Sequence, residues 1–116
     1  MRKSVATRLP KKIKILGKTF EIAYIPDMKD KDDGDDLYGE MHAREFRIDI
    51  NSSKSREVQE HTLFHEAMHG ALDVAGLSSL LDEKVEEAII TCFENAFAHT
   101  VNVYALSIDS DETPKV

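Results

Sequence analysis

A single cysteine, Cys92, occurs among the 116 residues, so an internal disulfide is excluded. That usage fits a reducing compartment. No apolar run approaches the ~20 residues that a membrane-spanning helix needs. The basic opening segment, MRKSVATRLPKKIKIL, lacks a continuous apolar stretch and does not read as a secretory signal. The expectation is a cytoplasmic protein with no membrane partner. Positive charge is also in deficit: 15 Lys and Arg face 22 Asp and Glu, for a formal net charge of −7. An acidic chain repels phosphate backbones unless its cations cluster. Arg2, Lys3, Arg8, Lys11, Lys12, Lys14 and Lys18 do cluster, but they read as the solvated face of an N-terminal hairpin rather than a nucleic-acid contact.

Hydrophobic residues make up 41% and charged residues 32%, an ordinary balance for one compact core. We expect a single domain over residues 1–106 and a disordered tail over 107–116. Lys12 to Leu16 and Thr19 to Ile25 alternate apolar and polar residues around a turn at Gly17 and Lys18, which predicts a β-hairpin. Asp27 to Asp36 is a polar loop. Its aspartates miss the EF-hand spacing, because Lys29 stands where the first calcium ligand belongs. Leu37 to Met41 and Phe46 to Ile50 predict a second hairpin, joined through His42 to Glu45.

Two helices should follow. Asn51, Ser52, Ser53 and Ser55 form a polar segment suited to capping the first. That helix should run from Arg56 to about Ala75 with its apolar centre near Phe64, Met68 and Ala71, and end at Gly76. Asp82 can cap the second, expected to reach about Tyr104. Its apolar side is predicted at Val85, Ala88, Ile89, Cys92, Phe93, Ala96, Phe97 and Val101, which makes Cys92 a core residue. The fold class is α+β: a small antiparallel sheet of hairpins, then two near-antiparallel helices.

The first helix carries His65-Glu66-Ala67-Met68-His69, an H-E-x-x-H pattern. Four helical residues turn ~400°, so the two imidazoles lie ~40° apart and one turn apart. Both can reach one ion at the ~2.0–2.1 Å of a Zn–N bond. Glu66 points ~100° from His65, beside that ion, where a general base for an activated water belongs. The competing reading is a pair of histidines at the rim of an amphipathic helix. His61 extends the same stripe and reads as surface.

A catalytic zinc takes three protein ligands and keeps one position open. Asp73 continues the stripe, but its backbone lies ~12 Å along the axis from that of His65, too far for a shared ion. The second helix offers Glu83, Glu86, Glu87 and Glu94. Only its first turns should return near the histidines, which sets Glu94 aside. Helical rotation favours Glu86, which faces the packing side, whereas Glu87 reads as a solvated charge.

The segment Thr62-Leu63-Phe64-His65-Glu66-Ala67-Met68-His69-Gly70, followed by a Glu-bearing helix, resembles gluzincin-type zinc peptidases. It is most similar to the small ImmA/IrrE-like metallopeptidases, including phage- and prophage-encoded ones. Tyr38-Gly39, Ile48-Asp49-Ile50 and the polar stretch before T-L-F-H-E extend the resemblance over roughly residues 37 to 98. The resemblance implies a minimal zincin-like domain that binds Zn²⁺ and hydrolyses a protein or peptide substrate. A transcriptional repressor is one candidate substrate. Its third-ligand spacing fits Glu87-Ala88-Ile89-Ile90-Thr91-Cys92-Phe93, so Glu86 and Glu87 both stay open. An extended peptide would pair with an edge strand, either Phe46 to Ile50 or Leu37 to Met41. Tyr38, His42 and His99 are candidate oxyanion or proton-donor groups. The alternative function is a zinc-bearing regulator that acts on a repressor-type partner by contact without efficient catalysis.

Overall fold

The computed structural model describes residues 9–97. Strands β1 (Lys12–Ile15) and β2 (Lys18–Ile25) form the first hairpin, and β3 (Gly39–His42) and β4 (Arg47–Asn51) the second. Helices α1 (Arg56–Val74) and α2 (Glu83–Phe97) follow. The fold is α+β, with hairpins before helices as expected. Among the described residues no helix is long and apolar enough to cross a membrane. The expected extension of α2 to Tyr104, the tail and the Arg2, Lys3 and Arg8 cations lie outside the described residues.

Two details of the sheet differ from expectation. Ile15 pairs with Lys18, so the first turn is Leu16-Gly17, one residue earlier than predicted. Both residues have positive φ, 48° and 84°, as a two-residue type I′ turn requires. The second difference is topological. The strand order is β1-β2-β4-β3, and the central pair β2–β4 is parallel, so the sheet is mixed rather than antiparallel. The cause is the long loop after Pro26, which carries the chain past the sheet end to the far edge and leaves a central place that β4 fills.

The loop is pinned by its own polar groups. Asp30 Oδ1 accepts from the amides of Asp32 and Asp33, at 2.7 and 3.2 Å. Lys29 and Lys54 donate to opposite oxygens of Asp36 and hold its carboxyl down to about 2. Buried Asn51 donates from Nδ2 to the carbonyl of Leu37 at 2.8 Å and accepts the amide of Ser53, which ties the end of the loop to the approach to α1.

Ile13, Ile15, Phe20, Ile22, Ile48 and Ile50 form the apolar face of the sheet, and α1 lays Leu63 and Ala67 on it. Ser55 caps α1 by accepting the Val58 amide at 3.2 Å. A Schellman arrangement ends it: the Gly76 amide donates to Asp73 and the Leu77 amide to Leu72, with Gly76 at φ +79°. The buried side of α1 is Thr62, Leu63, Ala67 and Gly70. That lies roughly a third of a turn from the predicted centre at Phe64, Met68 and Ala71. The small residues explain the offset, because they let the helix approach closely. A Cβ on Gly70 would sit 3.2 Å from Ile15 Cδ1, and one on Gly39 would sit 2.5 Å from Thr62 Cγ2.

Asp82 caps α2 by accepting the Val85 amide at 2.9 Å. Here the prediction of the buried face fails. Ile90 is the one buried residue of α2, while Val85, Phe93, Phe97 and Cys92 are exposed. Cys92 is therefore not a core residue. The helix packs principally on α1 rather than on the sheet, so it has no broad apolar surface to cover its stripe.

Candidate metal centre

The side of α1 turned away from the sheet carries His65 and His69, whose rings meet edge to face with centroids 5.0 Å apart. Opposite them α2 presents a row of carboxylates. Glu87 sits between the two rings, with one oxygen 2.7 Å from His69 Nε2 and the other 3.6 Å from His65 Nε2. Glu86 lies 2.6 Å from His69 Nδ1, and Glu94 lies 3.1 Å from His65 Nδ1. The pairing moves backward along α1 as it moves forward along α2, so the helices are antiparallel at the site. Both Nε2 atoms thus converge on Glu87, and each Nδ1 faces a separate carboxylate.

One ligand atom from each of His65, His69 and Glu87 can be chosen so that all lie within 4.8 Å of one another. Ligands around a tetrahedral zinc sit ~3.3 Å apart, so modest side-chain rotation closes the group on an ion. Two imidazoles and one carboxylate are a donor set typical of catalytic zinc with an open fourth position. Among the described residues this is the one His, Cys, Asp and Glu group with metal-binding spacing. Of the two candidate third ligands, Glu87 stands at the convergence point. Glu86 faces inward, as its helical rotation predicts, but reaches the outer nitrogen. Asp73 and Glu83 do not join the group.

Glu66 stands beside the histidines and not among the converging atoms. Burial raises its pKa above the ordinary 4.5, and the nearby charges of Glu87 and Glu40 add to the shift while His65 and His69 oppose it. Burial works against protonation of His69. The hydrogen bond to Glu86 and the charges of Glu66, Glu87 and Glu86 outweigh it and raise the ring above the ordinary 6.5.

A cavity of about 500 Å³ opens next to the group, with Tyr38, Gly39, His61, Thr62, His65 and Glu66 in its walls. Val58, Glu57 and Glu94 complete the lining. His61 is thus a wall residue. Tyr38 is exposed, with the Lys54 ammonium 4.9 Å from its ring centre. Met41 packs against the core, so its neighbour His42 points to the other sheet face, where its Nε2 lies 3.0 Å from Asp49 Oδ2. His42 is not part of the site, and His99 lies outside the described residues. Of the two strands considered for peptide pairing, β4 is interior and β3 is an edge.

Sequence reasoning missed Glu94, which it set aside as too distant. The usable signal was its place seven residues after Glu87, two turns along the same face. The chain matches no protein-family model, curated protein or solved structure, so the case for its chemistry rests on the geometry of the two helices.

Proposed function

We propose that this chain is a zinc-dependent peptidase in which His65, His69 and Glu87 hold the ion and Glu66 is the general base. The observation that carries this reading is the convergence of both Nε2 atoms on the Glu87 carboxylate, with partly buried Glu66 on the wall of the adjoining cavity. A zinc ion bound there would supply an acidified water and a polarised substrate carbonyl. Glu66 would accept the proton of that water and return it to the leaving amine. Burial raises its pKa above the ordinary carboxylate range, which favours holding the proton until it passes to the leaving amine. The substrate would be a peptide segment of a protein, extended along the β3 edge beside Tyr38 and Gly39. A transcriptional repressor is a candidate on the sequence resemblance alone. A purely structural zinc would call for four protein ligands, and among the described residues the group counts three.

The test is metal analysis and peptide hydrolysis on purified protein. Wild type should bind about one zinc per chain. His65→Ala and His69→Ala should lose it. Glu66→Gln should keep the metal and lose hydrolysis. Hydrolysis that survives in Glu66→Gln contradicts the reading, as does zinc that survives in both histidine variants.

A further inference from the structure

Glu86 and Glu94 flank the group on its outer sides, each facing an Nδ1 atom, and they differ from Glu87 in burial. The side chain of Glu87 is 47% exposed, against 14% for Glu86 and 20% for Glu94. A half-exposed carboxylate can exchange a protein partner for water. A buried one has no such substitute, and losing its donor carries the full desolvation cost. His69 makes hydrogen-bond contacts of similar length on both nitrogens, 2.6 Å to Glu86 and 2.7 Å to Glu87. When the ring is neutral it has one N–H to place, and the buried partner is the one that needs it.

We infer that Glu86 is a positioning residue: it accepts the Nδ1–H of His69, fixes the ring's tautomer and orientation, and so turns the Nε2 lone pair toward the site that Glu87 and His65 share. Glu94 faces His65 Nδ1 at 3.1 Å as a charge contact only, against the 2.6 Å hydrogen bond at Glu86, so the assignment is made for Glu86 alone. This assignment rests on the metal reading above and divides the adjacent glutamates by role: Glu87 binds the ion, and Glu86 acts through His69. The division follows from helix geometry. Neighbouring residues point ~100° apart, so the two carboxylates cannot approach one imidazole from the same side and instead reach its two nitrogens.

The decisive comparison uses Glu86→Gln and Glu86→Ala on the full chain. A glutamine oxygen can still accept the Nδ1–H, and alanine cannot. Outer-sphere partners of this kind typically contribute 10–100-fold to metal affinity. Zinc affinity should therefore fall by roughly that factor in Glu86→Ala, and stay within a few-fold of wild type in Glu86→Gln. Glu87→Gln should lose tight zinc. Nitrogen-15 NMR of the neutral, metal-free His69 ring should show the Nδ1–H tautomer in wild type and Glu86→Gln, and a mixture in Glu86→Ala. That readout does not depend on zinc, and a merely structural role would not move it. An Nε2–H ring in wild type overturns the inference, as do equal zinc affinities in all three proteins. If Glu86→Gln loses zinc as completely as His69→Ala, Glu86 is a ligand and the inference is wrong. If wild type binds no zinc, the peptidase reading fails, while the tautomer measurement still decides the role of Glu86.

Discussion

The two helices follow different rules. On one side α1 meets the apolar sheet, where Leu63, Ala67 and Gly70 settle against isoleucines and Phe20. On its other side it meets α2. A helix held on two sides has little rotational freedom. α2 packs principally on α1, buries Ile90 alone, and leaves Val85, Phe93 and Phe97 exposed. Its inward direction lies roughly a third of a turn from its apolar stripe, along the side that carries Glu86, Glu87 and Glu94. Apolar burial sets the seat of α1, whereas α2 turns inward Ile90 together with the glutamates that face His65 and His69.

The contrast is sharpened first by truncation on both helices. Leu63→Ala and Ile90→Ala should each cost about 2–5 kcal/mol in denaturant unfolding of the zinc-free protein. Phe93→Ala, although it removes more apolar surface, should cost well under half as much. The reverse order for Ile90 and Phe93 would mean that α2 is seated by its apolar stripe after all. Next in size is the contact that lets α1 approach the sheet edge. In Gly39→Ala the new Cβ meets Thr62 Cγ2 at 2.5 Å and the Asp49 carbonyl oxygen at 2.9 Å. Stability should fall by about 1–3 kcal/mol, and the cavity wall at Tyr38 should shift with it.

A pH effect comes third. Burial raises the folded-state pKa of Glu66 above its ordinary 4.5. The native protein then binds that proton more tightly than the unfolded chain, so stability falls as pH rises through the window above pH 4.5. Glu66→Gln lacks this loss. With chelator present, its melting temperature should match wild type in acid and exceed it at neutral pH. A gap of the opposite sign would mean that the carboxylate is stabilised where it sits. The smallest effect is expected at Cys92, which is exposed. Cys92→Ser should change stability by less than about 0.5 kcal/mol. The thiol should react with a thiol reagent in the native protein as fast as in the unfolded one.

How much could be read from the sequence follows the same division. Both hairpins, both caps and the end of α1 were legible, because alternation, Ser55, Asp82 and Gly76 act locally. The parallel β2–β4 pair was not, since nothing in a strand's own pattern says which hairpin it will adjoin. The offset of α1 escaped because glycine and threonine count for little in apolar periodicity, yet Gly70 and Thr62 mark the closest approach. In the His and Glu group, spacing alone put His65 and His69 side by side on α1, with Glu66 turned toward the adjoining cavity. Glu86 and Glu87 could not be separated that way, as both lie within one turn of the right position. Rotation identified the inward residue, Glu86, but not that it would reach the outer nitrogen.

X-ray absorption of the zinc-loaded protein tests most directly whether the two helices close on one ion. The expected spectrum shows two imidazole nitrogens at ~2.0–2.1 Å, light oxygen scatterers for the rest of the shell, and no sulfur. A sulfur scatterer at ~2.3 Å, or fewer than two imidazoles, would place the metal elsewhere and contradict the assignment to His65, His69 and Glu87.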